Sequence, residues 1–200
     1  MQEVRTKDGS VTYYNHEVGE HYHSISGAKE EAIEKHGKPA IEFVRAHGLT
    51  RVDVLDFCYG LGYNSYYFIN ELRKIDKDVT VEIIGVDIDR EIVEKGKYLL
   101  PLRSDERTKI SIHVGDAISY LHNNNKSFDV CFFDPFSPKK QPEMWSEEVF
   151  KWLFKAMKKP AIVTTYSCAK SIRDNMKKAG FIIKDGPVVG RRAPATIALK

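Results

Sequence analysis

The sequence predicts a doubly wound α/β fold around one mostly parallel sheet. Two observations carry that expectation. Short apolar runs recur through most of the chain and are separated by segments of helical length, the pattern of a parallel sheet with helices on both faces. The runs are continuous rather than alternating in polarity, as expected of strands buried on both sides. A third observation places a ligand crevice: two of the runs end in turns built from acid, glycine and proline, at the carboxyl edge where such sheets bind ligands.

In chain order, strands are expected at residues 52–57, 79–87, 110–114, 128–134, 161–166, 181–184 and 196–199. Helices are expected between them at 64–74, 90–99, 117–121, 146–157 and 169–179. Ser146 is placed to cap its helix, and Glu147 and Glu148 follow in the first turn, where the helix dipole favours them. Gly180 is a helix stop. Residues 1–50 differ: TYYNHEVGEHYHS is rich in aromatics and histidine, and two helices follow. Ile33 belongs to the first and the segment after Pro39 to the second, which Gly48 ends. We expect residues 1–50 to cap the sheet edge and 51–200 to form the core, a single domain overall.

Composition narrows the function. No apolar run reaches the ~18–20 residues of a membrane span, and MQEVRTKDGS lacks the apolar stretch of a secretion signal. Cys58, Cys131 and Cys168 lack metal spacing and fit small buried thiols in a reducing cytoplasm. The seven histidines show no ligand spacing either, so no metal is expected. Net charge is +3, but residues 160–200 carry eight Lys and Arg against only Asp174 and Asp185. A basic segment on a near-neutral body suggests a polyanionic partner, although solvated helix faces explain part of it.

The first turn, in VLDFCYGLGYN, sets three residues between Asp56 and Gly60, with Gly62 beyond and Tyr63 and Asn64 opening a helix. The glycines permit a sharp turn and close approach to a ligand. Asp87 ends the next strand, where a carboxylate binds a ribose diol. Asp116 follows the third, placed to accept from an adenine amino group. Each acid alone also reads as a cap or a loop acid. The ordered set disfavours a polyphosphate and suits a nucleoside with positive charge, such as S-adenosylmethionine.

The second turn, VCFFDPFSPKKQPEMW, puts Asp134 at the end of the fourth core strand. Pro135 biases it toward extended dihedrals. Phe136 is placed to stack on a flat base, and Lys139 and Lys140 to contact phosphate. A rigid surface loop with a capping acid is the alternative. Methyl transfer from a sulfonium needs mainly proximity and alignment, so Asp134 is assigned to positioning an amine first and accepting its proton second.

These residues resemble the methyltransferase half of the MnmC family of tRNA 5-methylaminomethyl-2-thiouridine biosynthesis. The likeness lies in Asp56-Phe-Cys-Tyr-Gly-Leu-Gly-Tyr-Asn64 and Asp134-Pro-Phe-Ser-Pro-Lys-Lys-Gln-Pro-Glu-Met-Trp145, with weaker echoes in Tyr22-His-Ser24, TYSCAKSIR, AGF and GRR. It spans roughly residues 19–192. It implies a Rossmann-like class I S-adenosylmethionine-dependent methyltransferase with a seven-stranded sheet. The implied product is S-adenosylhomocysteine, and the implied substrate is an aminomethyl group on the tRNA wobble uridine. The implied cofactor set is Tyr22, Asp56, Cys58, Gly60, Gly62, Asn64, Asp87, Asp116 and Ala117. Asp134 is the implied catalytic residue. His23, Pro135, Phe136, Lys139, Lys140, Arg173, Arg191 and Arg192 would meet the substrate. The family's flavin oxidase half has no room in 200 residues, so another enzyme would install the amine. Two departures stand out. Cys58 replaces a glycine, tolerable only where φ stays negative, and Pro135 replaces a glycine and removes a backbone donor. Asp-Pro-Phe also resembles the Asp-Pro-Pro-aromatic motif of base-amino methyltransferases, which favours nitrogen as acceptor.

Lys170, Arg173 and Lys177 fall on one helix face. With Lys139, Lys140, Arg191 and Arg192 they offer a path for tRNA backbone. Tyr13, Tyr14, Tyr22 and Tyr63 are candidates to stack an extruded base, though core packing suits Tyr13 and Tyr14 as well. The alternatives are an aminopropyltransferase resembling spermidine synthase, which a basic segment disfavours, and a non-catalytic RNA-binding relative.

Overall fold

Seven strands make the central sheet in the order β6-β5-β4-β7-β8-β10-β9. They are β4 (Arg51–Phe57), β5 (Thr80–Asp87), β6 (Thr108–Val114), β7 (Phe128–Phe133), β8 (Met157–Thr165), β9 (Ile182–Asp185) and β10 (Thr196–Leu199). The computed structural model describes residues 1–190 and 192–200. The strands from β6 to β8 run parallel, and β10 is antiparallel to both β8 and β9. The sheet is Rossmann-like, and its order reverses between β4 and β7, which opens the crevice there.

The continuous apolar runs are buried on both faces because pleating sends neighbours to opposite sides. Phe133, Leu55 and Phe57 pack with α5 (Ala117–Asn123), α6 (Glu147–Ala156) and α7 (Lys170–Ala179). Phe132, Val54 and Val52 pack with α2 (Lys38–Ala46) and α3 (Tyr63–Ile75). The remaining crossover helix is α4 (Arg90–Leu99). Ser146 caps α6 by accepting from Val149 N–H at 3.3 Å, and Gly180 closes α7 at φ 114°. The largest boundary shift in the core is at β8, which starts at Met157, where a helix end was expected, because Met157 already pairs with Phe128.

The N-terminal segment departs most from expectation. It opens with three antiparallel strands, β1 (Gln2–Arg5), β2 (Val11–Asn15) and β3 (Glu20–His21). The two expected helices are one continuous path. It runs from α1 (Ala28–Glu31) through a π-helical segment (Ala32–Gly37) into α2. Pro39 does not break it, because the wider turn is already in place: Lys38 N–H donates to Ile33 O, five residues back. Tyr63 pins the small sheet to the core. Its hydroxyl donates to Val11 O at 2.8 Å and accepts from Val11 N–H at 3.1 Å.

Candidate active site

Beyond β4 the chain turns through left-handed conformations at Cys58 (φ 66°), Gly60 (φ 54°) and Gly62 (φ 80°). Gly62 is required twice over, since a Cβ there would also fall 2.3 Å from Tyr59 Oη. Cys58 corrects the expectation that it avoids positive φ; it holds a conformation that costs a non-glycine residue about 1–2 kcal/mol. Asp56 is corrected as well. It lies beneath the turn, fully buried, and its Oδ2 accepts from Ser65 N–H at 3.2 Å and Ser65 Oγ at 2.6 Å. Ser65 is the third residue of α3, and the turn residue Gly62 has no side chain to cap that helix, so Asp56 caps it from the sheet. Burial drives its carboxyl well above the usual range.

The acids past β5 and β6 do reach the crevice. Asp87 accepts from Gly60 N–H at 2.7 Å and from Asp89 N–H at 2.8 Å, so it braces the glycine turn. Burial raises its pKa. Asp89 is a further acid at this edge, signalled in the sequence only by the spacing Val86-Asp-Ile-Asp89. It accepts from the Tyr22 hydroxyl and caps α4 through Ile92 N–H at 3.2 Å. Asp116 caps α5 through Ser119 N–H at 2.7 Å. Tyr22, Cys58, Gly60, Asp87, Asp116 and Ala117 all line one cleft of about 760 Å³. Ile88 stands in its wall with 68% of its surface exposed, an apolar face for a flat ring. Among the described residues, seven carboxylate side chains face this cleft against one arginine. That field repels a pyrophosphate and suits a cationic nucleoside.

Asp134 lies where this cleft meets a second cavity of about 410 Å³; it lines both, with Tyr22, His23 and Phe136. Its N–H donates to Phe57 O at 3.1 Å, which holds it to the end of β4. Its Oδ2 accepts from Asn64 Nδ2 at 3.0 Å. Burial raises its pKa against the opposing pull of His23 and Asn64. Beneath it, His36 Nε2 stands 3.9 Å from Oδ1. Burial lowers His36 to a pKa of about 3, so it is neutral near pH 7 and the contact is no ion pair. Its Nδ1 is 2.8 Å from Thr164 Oγ1 on β8. The loop after Asp134 is held by its own backbone carbonyls: Pro135 O accepts from the Tyr166 hydroxyl at 3.1 Å and Phe136 O from Trp145 Nε1 at 2.8 Å. Ser137 donates its N–H to Glu20 at 2.9 Å and its hydroxyl to the same carboxylate, which ties the loop to the cap.

Other expected residues are placed differently. His23 lines both cavities, and its buried Nε2 has no hydrogen-bond partner among the described residues. Burial lowers its pKa. Pro135 lines the second cavity, and Phe136 also packs on Tyr22 at a ring distance of 4.9 Å. Asn64 and Gly62 line neither cavity; Asn64 acts through Asp134. Lys139 and Lys140 are exposed on the loop, and Arg192 is exposed near Gly190, itself on the second cavity. Arg173 is a correction. It donates to Asp185 at 2.6 Å, Thr196 Oγ1 at 2.9 Å and Ala195 O at 3.1 Å, which staples α7 to β9 and β10 rather than offering a phosphate site. Lys170 is paired with Asp174 at 2.7 Å. Arg191 lies outside the described residues. Glu31, Lys35 and His36 are not legible as site residues from sequence, because only the path of the N-terminal helix brings them to the crevice.

Known proteins agree with this geometry. Residues 72–200 match the model of a family described as S-adenosyl-L-methionine-dependent methyltransferase. An uncharacterised protein of Methanocaldococcus jannaschii is 31% identical over 98% of this chain, which spans 59% of its length. The bifunctional tRNA 5-methylaminomethyl-2-thiouridine biosynthesis protein MnmC of Ralstonia nicotianae is 33% identical over 46% of this chain and 14% of its own. The crystal structure of MnmC2 from Aquifex aeolicus superposes with a TM-score of 0.86 at 27% identity, over 98% of this chain and 69% of that one. A spermidine synthase shares the fold at 14% identity and a TM-score of 0.60, over 94% of this chain and 69% of its own. With residues 72–200 matched and an acid-lined cleft suited to the cofactor, the chain belongs to the S-adenosyl-L-methionine-dependent methyltransferase family.

Proposed function

We propose that this enzyme methylates a primary amine on the wobble uridine of tRNA, converting an aminomethyl group, with or without sulfur on the ring, to methylaminomethyl. The observation that carries the proposal is Asp134 in the shared wall of two cavities, one suited to the donor and one open to an acceptor. The relatives named for 5-methylaminomethyl-2-thiouridine biosynthesis support the choice of acceptor. S-adenosylmethionine supplies an electrophilic methyl group on a sulfonium. In the cleft, Asp87 braces the turn, Asp89 and Tyr22 close one wall, and Asp116 and Ala117 bound the far end.

An alkylamine has a pKa near ~10, so roughly one molecule in a thousand is neutral at pH 7. Asp134 binds the ammonium, with Asn64 fixing one oxygen and leaving the other for the amine. Because burial raises its pKa, Asp134 accepts a proton from the ammonium more readily than a solvent-exposed carboxylate does. The freed nitrogen lone pair forms the N–C bond as the S–C bond breaks. The product is a secondary ammonium, and the proton on Asp134 leaves to solvent. Phe136 and Tyr22 flank the acceptor, and Lys139, Lys140 and Arg192 lie on the outer face for phosphate. An upstream enzyme supplies the amine, and the cytoplasm supplies the tRNA. Glu20, Glu31 and Asp134 line the acceptor cavity against Lys35, so the choice of tRNA over a polyamine rests on the named relatives.

The test is incubation with methyl-labelled S-adenosylmethionine and tRNA from cells lacking this gene, followed by nucleoside mass spectrometry. Label in methylaminomethyluridine, thiolated or not, is expected. Label transferred to a free polyamine, or to a ring nitrogen, would refute the proposal.

A further inference from the structure

The second cavity contains a group that methyl transfer does not use. Lys35 lines it while only 3% of its side chain is exposed. Its Nζ lies 2.5 Å from Glu31 Oε1, and that is its only hydrogen-bond partner among the described residues. An ammonium has three donors, so two N–H groups remain beside the cavity. Glu31 also lines the cavity and spends its other oxygen on Ser24 N–H at 3.1 Å. A carboxylate has about four acceptor sites, so Glu31 keeps acceptor capacity too. Burying an ion pair costs several kcal/mol per ion in desolvation, about as much as the pair returns; an apolar pair would serve packing equally well. The pair therefore stands as a donor and an acceptor side by side in the acceptor wall. The π segment that carries Lys35 also carries His36, which lies under Asp134. Insertions of this type in α-helices frequently occur at functional sites.

We propose that Lys35 and Glu31 read the imide edge of a uracil-type ring. Lys35 donates to a ring carbonyl oxygen, and Glu31 accepts from the neighbouring ring N–H. This rests on the wobble-uridine reading above and specifies how the base is chosen. An adenine presents an amino group and a cytosine an unprotonated ring nitrogen at the corresponding edge. In the register that places the 5-substituent at Asp134, each would set its amino group against Lys35 and its bare ring nitrogen against Glu31, and a buried polar group left unpaired is what makes such a site selective.

The experiment compares two RNA oligonucleotides, one carrying 5-aminomethyluridine and one carrying its N3-methylated form, which lacks the ring N–H. Initial rates are taken with the unmodified enzyme and with the double variant Glu31→Gln/Lys35→Met. Calorimetry with S-adenosylmethionine checks that the variant keeps its cofactor affinity. The expected kcat/KM ratio for the unmodified enzyme is about 10–100-fold in favour of the free N–H, and it falls to within about threefold in the variant. Equal rates on both oligonucleotides with the unmodified enzyme overturn the imide reading while leaving amine methylation intact. No methylation of either, with S-adenosylmethionine bound, overturns the wobble-uridine reading itself. If the variant does not fold, the two-substrate comparison on the unmodified enzyme still decides.

Discussion

At the residue scale, the proposed chemistry rests on Asp134, and Cys58 holds a left-handed conformation. Asp134→Asn keeps the Asn64 contact and the shape of the wall but loses the charge that holds an ammonium. Turnover should fall by about 10²–10⁴, while S-adenosylhomocysteine binding, measured by calorimetry, stays within about threefold. A variant with more than half of normal turnover would contradict the role. Cys58→Gly should relieve the positive-φ penalty, part of which returns as unfolded-chain entropy. A net gain of about 0.5–1 kcal/mol in urea unfolding is expected, and destabilisation would show that the thiol's packing matters more. Asp134 was legible because an acid-proline turn after a buried run has few other uses. The φ of Cys58 was not, because a thiol in that slot carries no signal of backbone conformation.

At the scale of elements, two helices are capped by residues far from them in sequence. Asp56 caps α3 through Ser65. Asp8 accepts from Glu30 N–H at 2.9 Å, at the third residue of α1. Asp8 also holds the β1–β2 turn through Ser10 N–H at 3.0 Å, and its side-chain and backbone hydrogen bonds, outweighing burial, lower its pKa to about 2. Asp8→Ala should cost about 1–2 kcal/mol in chemical unfolding, the magnitude of a lost cap. Because α1 leads into the segment bearing Lys35 and His36, it should also raise KM for the RNA more than it lowers kcat. An unchanged KM would detach the cap from the acceptor site. The alternation of strands and helices was readable from apolar runs. The three short N-terminal strands were not, since they have only four, five and two residues, too few to show an alternating pattern. The unbroken helix through Pro39 was hidden because proline signals a helix start, and nothing in sequence marks the π turn that absorbs it.

At the scale of the molecule, the cap and the sheet meet through polar contacts on the crevice, half-buried for Tyr22 with Asp89 and Glu20 with Ser137 and buried for His36 with Thr164. This makes stability depend on pH. The folded His36 stays neutral down to about pH 3, whereas an unfolded histidine titrates near ~6.5. Below ~6.5 the unfolded state binds a proton that the folded state refuses, so this group's contribution to stability falls as pH drops toward 3, by on the order of 5 kcal/mol. His36→Gln should flatten the slope between about pH 6.5 and 4 in urea titrations. An unaltered slope would mean that His36 does not set it.

The most direct measurement is a crystal structure with S-adenosylhomocysteine and an RNA oligonucleotide bearing 5-aminomethyluridine. The expected result has the amine nitrogen within about 3 Å of an Asp134 oxygen and facing the sulfur across the boundary between the two cavities. An amine bound away from Asp134, or a base seated outside the cavity lined by Lys35, would contradict it.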